Sequence, residues 1–200
     1  MMATMKRRRR QKVGILGGTF NPIHIGHLLI AQDALEQAGL DRVVFIPSAT
    51  PPHKRLEGNA SARQRLAMVE AAVAGNEAFA VDDLEIRRGG ASYTVETLTE
   101  LRRREPGADF YFIIGSDSLP ELTTWKDFER LAKLCRFVVV TRPGFEPGKA
   151  PKPVKPLVVF GHMCDVASRD VRARRRRGQS IRYLVPEAVV RYIARRKLYL

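Results

Sequence analysis

Short, β-branched apolar runs alternate with longer amphipathic stretches along most of the chain, and the two periods read as strands and helices in turn. Strands buried on both faces are expected at KVGILGG (12–18), RVVFIPS (42–48), FAVDDLE (79–85), DFYFIIGSD (109–117), RFVVVTRP (136–143) and PLVVFGH (156–162). Between them, Leu28, Ala31, Ala34, Leu35 and Ala38 form a helical stripe that Gly39 ends. Segments 61–75, 92–104 and 124–135 carry the same period, and in segment 186–198 Pro186 stands where a first helical residue belongs. The Pro- and Lys-rich stretch 143–156 fits neither period and reads as a loop. This alternation predicts an α/β domain with a single doubly wound, mostly parallel sheet and helices on both faces. Ligands of such sheets bind beyond the carboxyl ends of the strands.

One stretch at such an end concentrates chemistry. GGTFNPIHIGH, Gly17 to His27, packs three glycines, a proline and two histidines between the first strand and the first helix. Gly17 and Gly18 let main-chain N–H groups approach an anion closely, since no Cβ intervenes. A helix starting near His24 aims its positive end at the same point. His24 and His27, three apart, fall on one face of the first turn, and Gly26 keeps that turn bare enough for a ligand. These are the parts of a phosphate site with two imidazole donors. The stretch has neither the G-x-G-x-x-G spacing of dinucleotide folds nor a P-loop. H-x-x-H could open a zinc site completed by His53, His162 or Cys164, but these lack the tight companion spacing of metal ligands. A purely structural pair of histidines would leave the flanking glycines without a reason.

Composition narrows the setting. Two hundred residues with 44% apolar content suit one domain with a sizeable core. No run reaches the roughly 18 apolar residues of a membrane span. The basic opening MKRRRR is followed only by VGIL before Gly and Thr, so a signal peptide is not expected. Cys135 and Cys164 form no C-x-x-C, consistent with a reducing cytoplasm. The formal charge of +14 suggests a nucleic-acid partner. Ten of the basic residues, however, lie in two runs, Lys6 to Arg10 and Arg172 with Arg174 to Arg177, and without them the balance is ordinary. Residues 1–11 read as a solvated, disordered tail before a domain spanning 12–200.

His24-Ile25-Gly26-His27 is the H-x-G-H signature of the nucleotidylyltransferase superfamily, and the wider GGTFNPIHIGH resembles the opening of bacterial nicotinate-mononucleotide adenylyltransferases. The resemblance continues in order through IPSATPPHK (46–54), RGGASYTVETL (88–98), FIIGSDSLPELTTWKDFERL (112–131) and SIRYLVPEAVVRYIARRKLY (180–199). It implies a Rossmann-like nucleotidylyltransferase fold. The implied reaction transfers AMP from ATP to nicotinate mononucleotide, giving deamido-NAD and pyrophosphate by direct attack. It also implies Mg²⁺ carried by the ATP phosphates, with no metal site built by the protein. By the same carry-over, His27 and His24 are the catalytic candidates, and Gly17, Gly18, Thr19, Phe20 and Lys54 hold phosphates. Gly115 and Asp117 end a strand beside a ribose, while Trp125 stacks on the pyridine ring, with main-chain donors near Thr94, Trp125 and Lys126 for its carboxylate.

VASRDVRARRRRG resembles the family's second phosphate motif, matching at Ser168 and Arg172, with Ala167 and Arg169 as departures. Arg172 is the expected phosphate ligand, and Arg174 to Arg177 read as a solvated helix face. Asn21 stands where many relatives carry Asp, so no metal role is assigned to it. The partners implied are ATP and nicotinate mononucleotide, with no nucleic acid and no membrane. The oligomeric state is left open, a homodimer included. The alternative reading is a nucleic-acid-binding α/β protein that uses its arginine runs.

Overall fold

The apolar runs pair side by side into one sheet in the computed structural model, which describes residues 9–51, 57–141, 148–162 and 164–200. Strands β1 (Gln11–Gly18), β2 (Arg42–Pro47), β3 (Phe79–Val81), β4 (Ala108–Gly115), β5 (Arg136–Thr141) and β6 (Leu157–Phe160) lie in the order β3-β2-β1-β4-β5-β6. Every pairing is parallel. The helices are α1 (Ile25–Gln37), α2 (Ala62–Val73), α3 (Leu84–Arg88), α4 (Thr94–Arg104), α5 (Phe128–Leu134), α6 (Ser168–Arg176) and α7 (Glu187–Arg195).

Successive strand residues point to opposite faces, so the continuous apolar runs feed two cores. Val13, Ile15, Val44, Ile46, Phe110 and Phe112 pack with Leu84, Leu98, Leu101 and Leu131 of α3, α4 and α5. Leu16, Val43, Phe45, Tyr111 and Ile113 pack with Ala31, Ala34, Met68, Val69, Val171, Val189 and Ile193 of α1, α2, α6 and α7. The doubly wound expectation therefore holds.

The boundaries differ where polar residues intervene. The third strand stops at Val81, because the Asp82 carboxylate accepts the Leu84 N–H (2.8 Å) and starts α3. The fourth ends at Gly115, and Asp117 lies in a 3-10 turn, Ser116–Ser118, rather than in the strand. The sixth strand is shorter than its apolar run suggests, and the expected helix from residue 92 begins at Thr94. Segment 124–135 is not one helix: a 3-10 turn covers Leu122–Thr124, and α5 begins only after Asp127, which is left-handed (φ 52°). Pro186 caps α7 from just outside it. At the other end, β1 starts at Gln11, while Arg9 pairs with Asp41 and Arg10 donates to the Pro106 carbonyl (2.9 Å).

Strand β1 pairs with β2 as far as Gly18 opposite Pro47, but with β4 only as far as Ile15 opposite Phe112. Past that point β1 and β4 part at their carboxyl ends. This is also where the strand order reverses, the place at which open α/β sheets bind ligands.

Candidate active site

The β1–α1 turn enters this crevice. His24 caps α1 in extended conformation, and its N–H donates to Nδ1 of His27 (3.2 Å). The His27 ring proton therefore sits on Nε2. The two imidazoles stack with centroids 3.7 Å apart, and Phe20 meets His27 edge-on at 5.0 Å. Burial, reinforced by the neighbouring His24, holds the His27 pKa well below its ordinary value. His27 is thus a neutral donor near pH 7, fixed on two sides.

The glycines of this turn serve packing. A Cβ on Gly26 would lie 3.1 Å from Nδ1 of His24 and 3.4 Å from the Cys164 thiol, so the His24 ring itself takes the space expected for a ligand. A Cβ on Gly18 would stand 3.0 Å from the Phe20 ring, and one on Gly17 3.3 Å from Phe112. Phe20 is buried and left-handed (φ 47°). Aromatic rings, rather than a close anion, occupy the side-chain faces of Gly17 and Gly18.

The turn is anchored from behind. Ile25 N–H donates to the Leu184 carbonyl (2.9 Å). Ser168 Oγ donates to the Pro22 carbonyl (2.8 Å), and Arg172 donates to the Asn21 carbonyl (2.8 Å) and the Glu57 carboxylate (2.7 Å). Arg172 is buried, and its hydrogen bond holds the Glu57 carboxyl below the usual range. Both residues of the second phosphate motif therefore reach the turn, but through its backbone. Asn21 accepts from the Tyr199 hydroxyl (2.8 Å) and donates to the Glu57 carbonyl (2.7 Å). Arg174, Arg176 and Arg177 are exposed, as expected of a solvated face, while Arg175 is half-buried. Lys54 and His53 lie outside the described residues.

Two of these supports have roles that the motifs do not show. Arg65 of α2, with none of its surface exposed, donates to the carbonyls of Thr19 (2.6 Å), Ser48 (2.6 Å) and Ala49 (2.9 Å). It joins the loops after β1 and β2. The only signal is its place in the buried stripe with Met68, Val69 and Val73, where a cation is unexpected. Tyr199 closes the site from the far end of the chain, and no local pattern announces that.

Across the crevice, the Asp117 side chain folds back over Gly115, where a Cβ would come within 2.5 Å of its carboxylate. Further along, α4 and the segment before α5 meet. Nζ of Lys126 lies 2.6 Å from Glu96 and 4.1 Å above the Tyr93 ring, which brings Thr94, Trp125 and Lys126 together. Lys126 in turn holds the Glu96 carboxyl low. Trp125 is half-buried and edge-on to Phe112 at 5.8 Å. Its own N–H donates to the Leu122 carbonyl (3.1 Å), so that donor is spent and only those of Thr94 and Lys126 remain for a ligand carboxylate. Grooves also lie elsewhere, one of about 540 Å³ along α3 and α4 and one of about 530 Å³ beside α2.

Residues 15–174 match the cytidylyltransferase-like family. A Geobacter sulfurreducens protein, described as a probable nicotinate-nucleotide adenylyltransferase, is 43% identical, covering 94% of this chain and 98% of its own. A Synechococcus sp. (strain JA-3-3Ab) protein of the same description is 44% identical over 96% of each chain. Among solved structures, Plasmodium falciparum nicotinic acid mononucleotide adenylyltransferase complexed with NaAD aligns with a TM-score of 0.77 at 19% identity. It covers 94% of this chain and 97% of its own, a likeness of fold.

Proposed function

The chain belongs to the cytidylyltransferase-like family and, within it, to the nicotinate-nucleotide adenylyltransferases; from that premise we infer how its residues transfer AMP from ATP to nicotinate mononucleotide. The reaction belongs to NAD biosynthesis. A 5′-phosphate oxygen of the mononucleotide attacks the α-phosphorus of ATP, the bond to the bridging oxygen of the β-phosphate breaks, and pyrophosphate leaves. Deamido-NAD is the product. No protein nucleophile is needed, so catalysis rests on alignment and on stabilising charge at phosphorus.

The observation that carries this reading is the pair of stacked imidazoles at the N-terminus of α1, beside the crevice where β1 and β4 part. His27, with its proton on Nε2, donates to an α-phosphate oxygen, and His24 assists on the phosphates. The main chain of Gly17 to Phe20 and the helix end supply further donors. Arg172 turns its guanidinium from Glu57 to the outer phosphates as ATP enters. Ser168 acts by holding Pro22, and Lys54 adds a cation. Asp117, folded over Gly115, accepts from ribose hydroxyls. Trp125 stacks on the pyridine ring, whose carboxylate meets the amides of Thr94 and Lys126 at the α4 terminus.

Around the crevice stand imidazoles, amides and a guanidinium, with the carboxylates of Asp117 and Glu57 apart from one another, and among the described residues no three His, Cys, Asp or Glu side chains cluster as metal ligands. That donor set fits Mg²⁺ held by the phosphates and water, where it would neutralise triphosphate charge. No described helix is long and apolar enough to cross a membrane, and we place the reaction in the cytoplasm, where ATP is supplied. The nucleic-acid reading gains no support from the relatives. Pyrophosphate release from ATP, Mg²⁺ and nicotinate mononucleotide tests the assignment. Absent release, together with nucleic-acid affinity falling steeply with salt, would replace it.

A further inference from the structure

We propose that Arg65 is a positioning residue for the triphosphate, holding the β1–α1 loop in its anion-binding form and placing a buried positive charge behind it. This rests on the reading that ATP is the substrate. The guanidinium is fully buried, yet it meets carbonyls alone: Thr19, Ser48 and Ala49. Among the described residues it has no carboxylate partner, and its buried Nε has no acceptor. Removing a cation from water is costly, and three carbonyl dipoles offset only part of that cost. An apolar side chain in the stripe with Met68 and Val69 would avoid the charge penalty but leave the three carbonyls without this donor, so Arg65 is retained for what its fork holds rather than for burial alone.

The geometry of one peptide supplies the reason. A planar trans peptide points its N–H opposite to its C=O. With the Thr19 carbonyl drawn down onto Arg65, the Phe20 N–H is turned away from it. Phe20 is 2% exposed, and among the described residues no protein acceptor meets that N–H. A buried main-chain donor without a partner is rare and marks a place where a ligand completes the bonding. Left-handed Phe20 adds the turn from which main-chain anion nests are built. Arg65 thus orients a donor toward the phosphates without touching them, and its unmatched charge favours an anion there over an empty loop. The same fork fixes the Ser48–Ala49 loop, so both walls of the phosphate end are set by one side chain.

The test compares wild type, Arg65→Lys and Arg65→Met by calorimetric binding of ATP and of pyrophosphate, by steady-state kinetics and by thermal melting. A lysine keeps the charge but holds its three donors on one nitrogen, without the planar fork whose two nitrogens reach Thr19 on one side and Ser48 and Ala49 on the other. ATP and pyrophosphate affinities are expected to fall about tenfold in Arg65→Lys and further in Arg65→Met. The KM for nicotinate mononucleotide should change less than about threefold, since its pyridine end lies elsewhere; melting should fall in Arg65→Met, whose three carbonyls lose this donor, and less in Arg65→Lys. Arg65→Lys with unchanged ATP and pyrophosphate affinity would overturn the proposal. So would losses equal for both substrates that track a fall in melting temperature. If Arg65→Met does not fold, Arg65→Lys decides alone. Because binding is read directly, a wild type that binds ATP without turning over would defeat the catalytic reading and leave the comparison at Arg65 intact.

Discussion

His27→Ala removes the group on which the chemistry depends most. In the folded protein Nδ1 of His27 accepts the His24 N–H (3.2 Å), so Nε2–H is its one outward donor, and Phe20 and His24 hold the ring from two sides. Loss of one such preorganised donor to a developing oxyanion costs about 10²–10³ in kcat, or roughly 2.7–4 kcal/mol. The same residue links stability to pH. Its folded pKa is lowered, chiefly by burial, so the unfolded chain takes up a proton as pH falls below about 6.5 while the folded chain does not. Wild type is therefore expected to lose stability below that pH, and His27→Ala to lose less. Turnover by pyrophosphate release at pH 7.5, with thermal melts at pH 7.5 and 5.5, measures both. A folded variant that retains more than about a third of wild-type turnover would refute the catalytic role. Equal loss of stability between the two pH values in both proteins would refute the buried, neutral imidazole.

The pyridine pocket should favour nicotinate over nicotinamide mononucleotide by at least about tenfold in kcat/KM, because amides at Thr94 and Lys126 would confront the nicotinamide NH₂ with other donors; equal rates would sink that pocket. Trp125→Ala should weaken both mononucleotides alike and leave ATP affinity unchanged, as calorimetry would read. Glu57→Gln should lower the KM for ATP a few-fold, because the carboxylate on Arg172 (2.7 Å) competes with phosphate; a raised KM would mean that Glu57 positions Arg172 instead. Deleting residues 1–8 should leave turnover unchanged, and extending the deletion through Arg10 should add little, since exposed ion pairs such as Arg9–Asp41 contribute about 0–1 kcal/mol.

Periodicity was enough to read the sheet and its two cores, because runs such as VVFI and YFII have no other place to go than between two helical layers. It misjudged ends where one polar side chain decides, as Asp82 does in turning a strand into α3. The imidazole pair was legible from spacing alone. The purpose of its glycines was not, since what faces Gly18 and Gly26 is a ring from a neighbouring position. Arg172 and Ser168 were legible as members of a motif, but their partners Glu57, Asn21 and Pro22 lie more than a hundred positions away. The roles of Arg65 and Tyr199 were invisible for the same reason: each acts through carbonyls or an amide brought near only by folding.

ATP labelled at the α-phosphate, incubated with the protein, Mg²⁺ and nicotinate mononucleotide, tests the central claim directly. Label is expected in deamido-NAD, one equivalent for each pyrophosphate released, with none on the protein at any time. Label that stays in ATP would contradict adenylyl transfer, and label trapped on the protein would contradict direct attack at the stacked histidines.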